Sequence, residues 1–193
     1  MSYFAQAGAL LIEVVMSLIA ALFLLRLALP MVGANFYNPI CQFIYRTTHG
    51  VIAPLRRALP PVGRFETSAA IVAWAVVMLK TWLVMALGGR MLGLLPTLVL
   101  GLADLLGLLL SIAFWLILVR AILSFFAPSQ PHPALPLIGQ LTEPLLAPFR
   151  RLLPAAGGLD FSPLLAMLTL LIARVLLVAP LTDFGLMLAR QGL

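Results

Sequence analysis

The sequence predicts an all-α membrane protein: four membrane-spanning helices, arranged as two parallel helix–connector–helix repeats. Three observations lead there. The chain has 193 residues, 63% of them hydrophobic and only 9% charged, against about 25% charged in an ordinary soluble domain. Four apolar stretches each reach the ~20 residues that a helix needs to cross ~30 Å of hydrocarbon. The chain also aligns with itself, without a gap, when displaced by 94 residues. A soluble domain of 20.8 kDa leaves too much surface exposed to hide apolar residues in this proportion. A soluble globular enzyme is therefore excluded.

The first repeat is placed at 1–94. The opening residues carry no Lys or Arg, and the apolar run after them is longer than a signal-peptide core and holds Glu13. It reads as a retained membrane helix at about 8–34, with Pro30 ending or kinking it near Leu29. Asn38-Pro39 supplies a capping side chain followed by a proline suited to the first helical position. Residues 39–48 then form a short amphipathic helix expected in the membrane interface, closed by Gly50 and Pro54. A box of prolines around Arg56-Arg57 follows, and Glu66 favours the positive end of a second span at 68–87. Gly88-Gly89 is a turn. The second repeat is placed at 95–193. It has a span at about 98–127, a second interfacial segment at 133–142, the second box around Arg150-Arg151, then Asp160. Its last span, at about 162–184, opens on Ser162-Pro163, read as a cap before a proline.

The duplication rests on residues outside the apolar runs. Ala53-Pro54 falls on Ala147-Pro148, Arg56-Arg57 on Arg150-Arg151, Leu59-Pro60 on Leu153-Pro154, Gly63 on Gly157 and Ser68 on Ser162. Eight of the sixteen positions from Ala53 to Ser68 are identical to their copies. Helices of similar composition always resemble one another, but matched Pro, Arg, Gly and Ser do not arise that way. Thr48 meets Thr142, Arg26 meets Arg120, Ser17 meets Ser111 and Lys80 meets Arg174. An even number of spans per repeat gives both copies the same orientation.

The repeated Pro-x-Arg-Arg-x-Leu-Pro-x-x-Gly-x-x-(Asp/Glu)-x-Ser, flanked by apolar helices, resembles the YggT family. Leu159-Asp160-Phe161-Ser162-Pro163 is especially close to that pattern, while the first copy has Arg64-Phe65-Glu66-Thr67-Ser68 instead. The resemblance covers both halves, about 10–90 and 104–184. It implies a bacterial inner-membrane protein with relatives in plastids. It also implies links to osmotic stress, to cell-division gene neighbourhoods and to assembly of a plastid membrane complex, and it brings no agreed catalytic activity.

Two sets of charges are candidate sites. Arg26, Lys80, Arg120 and Arg174 lie within the apolar runs, where a basic group at the helix centre costs about 2.5–3.5 kcal/mol. Each of these side chains either snorkels to an interface, pairs with Glu13, Asp104 or helix carbonyls, or meets a ligand. The second set comprises Arg56, Arg57 and Glu66, and their copies Arg150, Arg151 and Asp160. In each box the acid is expected to accept from one arginine and leave the other free for lipid phosphate or a partner's carboxylate.

Chemistry beyond binding is not indicated. Cys41 is the single cysteine, and the two histidines, His49 and His132, align with Glu143 and Asn38 rather than with each other. No catalytic set, metal-ligand set or phosphate loop emerges, and no cofactor is expected. The net charge of +6 is scattered along the chain, which argues against nucleic acid and for anionic phospholipid headgroups. The function expected is a non-enzymatic inner-membrane scaffold or assembly factor with a membrane-protein partner or a second copy of itself. The alternative is a small transporter or channel using the intramembrane basic residues. Six arginines, Arg46, Arg56, Arg57, Arg64, Arg150 and Arg151, lie in the long connectors, against Arg90 and Arg190 on the opposite side. The connectors are therefore expected in the cytoplasm and both termini in the periplasm.

Overall fold

A computed structural model describes residues 3–126, 132–152 and 160–191. It is helical throughout its spans. The helices are α1 (Tyr3–Met31), α2 (Pro39–Ala58), α3 (Thr67–Leu87), α4 (Leu94–Phe126), α5 (Ala134–Leu152), α6 (Ser162–Ala173) and α7 (Ala179–Arg190). A π-helical turn, Arg174–Val178, joins α6 to α7. Helices α1, α3, α4 and the continuous run Ser162–Arg190 are long and apolar enough to cross a membrane. Only 6–22% of the most apolar stretch of each span is buried inside the chain. So much outward apolar surface needs lipid around it, and the chain is a multi-pass membrane protein.

The spans run longer than the apolar pattern suggested, at three ends. The first helix begins by Tyr3 and the last continues to Arg190. Helix α4 begins at Leu94 because Pro96 falls in its first turn, where no intrahelical N–H is needed. Helix α1 does pass through Pro30 and stops at Met31. It ends where Gly33 turns to a φ of +65°, with the Ala34 N–H donating back to the Leu29 carbonyl at 2.9 Å. Gly89, at φ +74°, closes α3 in the same way, through the Arg90 N–H and the Met85 carbonyl. A left-handed residue there satisfies carbonyls that the helix leaves open.

The connector helices correct the sequence reading more substantially. Gly50 and Pro54 do not close the first one: α2 runs on to Ala58 and carries Arg56 and Arg57 in its last turn. Helix α5 likewise passes Pro144 and Pro148 and carries Arg150 and Arg151 in its last turn. A proline inside a helix costs about 3 kcal/mol. It is offset here by the apolar stripe, since Cys41, Ile44, Thr48 and Ile52 of α2 are all buried. The expected Asn38 cap is present: its Oδ1 accepts from the Ile40 N–H at 2.9 Å. His132 holds the matching place before α5, its Nδ1 accepting from the Ala134 N–H at 3.2 Å. Ser162, by contrast, is the first residue of α6 and not its cap, which is Phe161.

The two repeats share one packing plan. Phe23, Ile52 and Val72 form a core in the first, and Ile117, Leu146 and Ala166, each 94 residues on, form one in the second. Helix α1 lies along α3, and α4 along α6 and α7. The halves join where α3 meets α4. Gly101 permits this approach, because a Cβ there would stand 3.2 Å from the Met78 Cα. They join again at the connectors, where Leu137 of α5 packs with Cys41 and Ile44 of α2 and Asn38 Nδ2 donates to the Pro133 carbonyl at 2.6 Å. Both connectors therefore lie at the same end of the bundle.

Candidate functional site

At the connector end, each repeat folds an arginine from its first span under its amphipathic helix. Arg26 Nη1 donates to the Tyr45 carbonyl at 3.1 Å and to Thr48 Oγ1 at 2.9 Å. Arg120 Nη1 donates to the Gly139 carbonyl at 3.2 Å and to Thr142 Oγ1 at 2.7 Å. Every partner is displaced by the same 94 residues. Arg26 also lies over the Tyr45 ring, 4.3 Å from its centroid, an arrangement that favours a desolvated cation. Arg26 and Arg120 thus serve the connectors, although their sequence context resembled that of Lys80 and Arg174.

The arginine boxes close as brackets. Arg56 Nε donates to Glu66 Oε1 at 2.7 Å, and Arg150 Nε to Asp160 Oδ2 at 3.1 Å. Among the described residues, the exposed Arg57 and Arg151 have no ion-pair or hydrogen-bond partner. The turn of the first bracket is held by Val62 and Phe65, paired across Gly63 at φ +61°. Its counterpart, including Leu153-Pro154 and Gly157, lies outside the described residues.

The brackets differ in how their acids are shared. In the first, Glu66 is only 2% exposed and meets Arg26 Nη2 at 3.5 Å as well as Arg56. In the second, Asp160 is one methylene shorter and turns its other oxygen to the Ser162 N–H and hydroxyl. Glu143 serves Arg120 in its place, at 2.8 Å, and also takes Arg150 Nη1 at 2.8 Å. The second bracket is therefore a chain of four alternating charges, Arg120–Glu143–Arg150–Asp160. The first has one carboxylate between two guanidiniums. Glu143 was missed as a site residue, yet the signal was there: it stands in register with His49 directly after a repeated threonine.

These contacts set a pH dependence. The hydrogen bond from Arg120, and then the charge of Arg150, hold the Glu143 carboxyl below its ordinary 4.5. The hydrogen bonds from Ser162 and then Arg150 hold Asp160 below 3.8. A carboxyl depressed in the folded state stabilises it at any pH above the ordinary value and loses that contribution as pH falls through the depressed one. We expect Glu143→Gln to lower the thermal transition at pH 7 and at pH 5.5 equally. The difference from wild type should disappear only below its ordinary value. A difference already gone at pH 5.5 would contradict the assignment.

A second polar region lies deep between the spans. A cavity of about 390 Å³ is lined by residues of all four, among them Glu13, Ser17, Lys80, Asp104, Ser111 and Arg174. Buried Lys80 pairs with Asp104 at 2.7 Å and donates to Ser17 Oγ at 3.1 Å. Its counterpart Arg174 opens the π-helical turn and, among the described residues, reaches Ser111 Oγ alone, at 3.5 Å. Arg174 lacks an acid because Asp104 has Leu10 as its copy in the first repeat. Glu13 is exposed, with no ion-pair or hydrogen-bond partner among the described residues. Cys41 lies apart from the cavity in the connector core, where burial pushes its thiol up from 9.0. Among the described residues, no three His, Cys, Asp or Glu side chains stand close enough to hold a metal ion.

The family model for CCB3/YggT matches the chain twice, over residues 5–87 and 99–181. The chain belongs to the CCB3/YggT family. The two matches are displaced by the same 94 residues that align the sequence with itself, so each repeat is one CCB3/YggT unit. Among similar proteins, an uncharacterized protein encoded 3′ of proC in Vibrio alginolyticus is 37% identical over 169 residues, covering 86% of this chain and 91% of the relative. An uncharacterized Pseudomonas aeruginosa protein is 35% identical over 174 residues, covering 89% and 88%. YggT of Escherichia coli K12, also described as uncharacterized, is 35% identical over 179 residues, covering 92% and 93%. No solved structure matches the chain. Each CCB3/YggT unit here contributes one span arginine and one bracket arginine to the connector end, and the bracket arginine's neighbour, Arg57 or Arg151, has no ion-pair or hydrogen-bond partner among the described residues.

Proposed function

We propose that this chain is a non-enzymatic scaffold or assembly factor of the bacterial inner membrane, with its connector face turned to the cytoplasm. The observation that carries the reading is the pair of unengaged arginines, Arg57 and Arg151. Each extends from the last turn of a connector helix whose neighbouring arginine is fixed by an acid. Both cations stand at the connector end of the bundle, on a face that includes the last turns of two connector helices packed through Leu137, Cys41 and Ile44. Such a face suits anionic phospholipid headgroups, and through the same groups the acidic surface of a membrane-protein partner or a second copy. The excess of arginine in the connectors supports the cytoplasmic orientation. The links to osmotic stress and to membrane-complex assembly that the family resemblance implies fit this role.

The test is lipid retention. An arginine at an anionic surface contributes about 1 kcal/mol, so loss of two weakens binding roughly 30-fold. Native mass spectrometry should show the Arg57→Gln/Arg151→Gln chain losing phosphatidylglycerol at detergent concentrations where the wild type keeps it. The thermal transition should not move. Equal retention by both would refute the reading. A second reading, a small transporter or channel, has the polar cavity in its favour; flux in proteoliposomes that falls on Arg174→Ala would favour it.

A further inference from the structure

The intramembrane cavity contains an imbalance that the connector face does not explain. Of its four charged side chains, Lys80 and Asp104 satisfy each other at 2.7 Å. The other two, Glu13 and Arg174, line the same cavity from α1 and from the last span, and both residues are exposed. Arg174 has a single long contact to a hydroxyl, and Glu13 has no polar partner among the described residues. A charge away from bulk water is costly unless it is paired. Among the described residues the cavity thus offers a cation, Arg174, and an anion, Glu13, without ionic partners, and a volume of about 390 Å³, within the range of small-molecule sites.

From this we propose that the cavity binds a small zwitterion of the amino-acid type, its carboxylate on Arg174 and its ammonium on Glu13. The charge arithmetic selects the class. A simple carboxylate would satisfy Arg174 but leave Glu13 unpaired beside a second negative group. A simple amine would do the reverse. A molecule carrying both charges leaves no group unmatched, and this is how a site rejects near analogues. Ser17 and Ser111, in register in the two repeats, add hydroxyls to the same wall. Arginine's fork donates two parallel N–H groups to a carboxylate. The mouth of a neighbouring cavity, which shares Met85 and Leu186 with this one, carries Arg90 and Arg190. These cations would draw the carboxylate end inward from the side opposite the connectors. The site requires binding alone and holds whether or not the ligand crosses the membrane.

The experiment is a titration of the full chain in phosphatidylethanolamine–phosphatidylglycerol nanodiscs, followed by calorimetry. The probes are the unbranched ω-amino acids from glycine to 6-aminohexanoate, with the carboxylate and the amine of each length. At least one amino acid should bind about tenfold more tightly than both of its single-charge analogues. Glu13→Gln should reverse that preference in favour of the carboxylate, and Arg174→Gln in favour of the amine. The wild-type series decides the matter even if a variant fails to fold. Binding of the carboxylate as tight as that of the amino acid overturns the proposal, as does absence of binding by every member of the series.

Discussion

Replacing Glu66 with alanine destabilises the chain by about 3–5 kcal/mol, the cost of leaving a buried charge without its partner. Arg26 is 1% exposed and Glu66 2% exposed, so no solvent reaches the orphaned guanidinium. Thr48 and the Tyr45 carbonyl still accept its hydrogen bonds but bring no negative charge. The same change at Asp160 costs less, about 1–2 kcal/mol: the ion pair it breaks is exposed, Glu143 keeps both Arg120 and Arg150, and the main loss is the acceptor for the Ser162 N–H and hydroxyl at the start of α6. The comparison extends to a rescue. Glu66→Asp shortens the carboxylate by one methylene and should release Arg26. Adding His49→Glu, which places an acid where the second repeat has Glu143, should restore much of the loss. Unfolding in mixed micelles, with the four chains of a double-mutant cycle, gives the coupling. If Glu66→Ala and Asp160→Ala cost the same, or the second acid restores nothing, the account of the brackets is wrong.

The architecture was legible in the sequence for a physical reason. Lipid forces the backbone of each span to satisfy its own hydrogen bonds, so length and hydropathy suffice to place helices. The repeat was legible because its matched residues are polar or conformationally special. What the local pattern misjudged was proline. Pro54 looked like a helix end, and the second segment was placed at 133–142, short of Pro144 and Pro148, but the decision belongs to the buried stripe of α2 and α5, which is a tertiary contact. The π-helical turn was equally hidden. It precedes Pro180, whose ring crowds the preceding turn, and a wider turn relieves such crowding.

The site was legible in part. The ten-residue spacing of Arg56 to Glu66 and of Arg150 to Asp160 was enough to pair them across a turn. The division of labour among the four span cations was not. Arg26, Lys80, Arg120 and Arg174 look alike in sequence, since each is a base in an apolar run. Only the fold shows that two meet threonines on the connector helices and two meet serines between spans. The exchange of Glu66 for the pair Glu143 and Asp160 depends on the reach of one methylene, which composition and spacing do not encode.

Asp104→Ala should destabilise the bundle by about 3 kcal/mol, the cost of an unpaired basic group at the centre of a span. Lys80 is buried, and its Nζ lies 2.7 Å from Asp104 and 3.1 Å from Ser17, so it is committed to the interior rather than to either interface. Removing both charges is a different matter. Lys80 is the buried member of the pair, at 7% exposure against 39% for Asp104, and its desolvation cost is returned when both charges are replaced by apolar side chains of similar volume; the first repeat already has Leu10 at the position of Asp104. Lys80→Met with Asp104→Leu should therefore recover wild-type stability or exceed it. Arg174→Met should not destabilise the bundle, because Arg174 has no acid to abandon among the described residues. Together these outcomes would make the Lys80 pair structural and leave Arg174 free for a ligand. An Asp104→Ala chain as stable as wild type would mean that Lys80 reaches the headgroups by snorkelling, and the paired wall of the cavity would be lost with it.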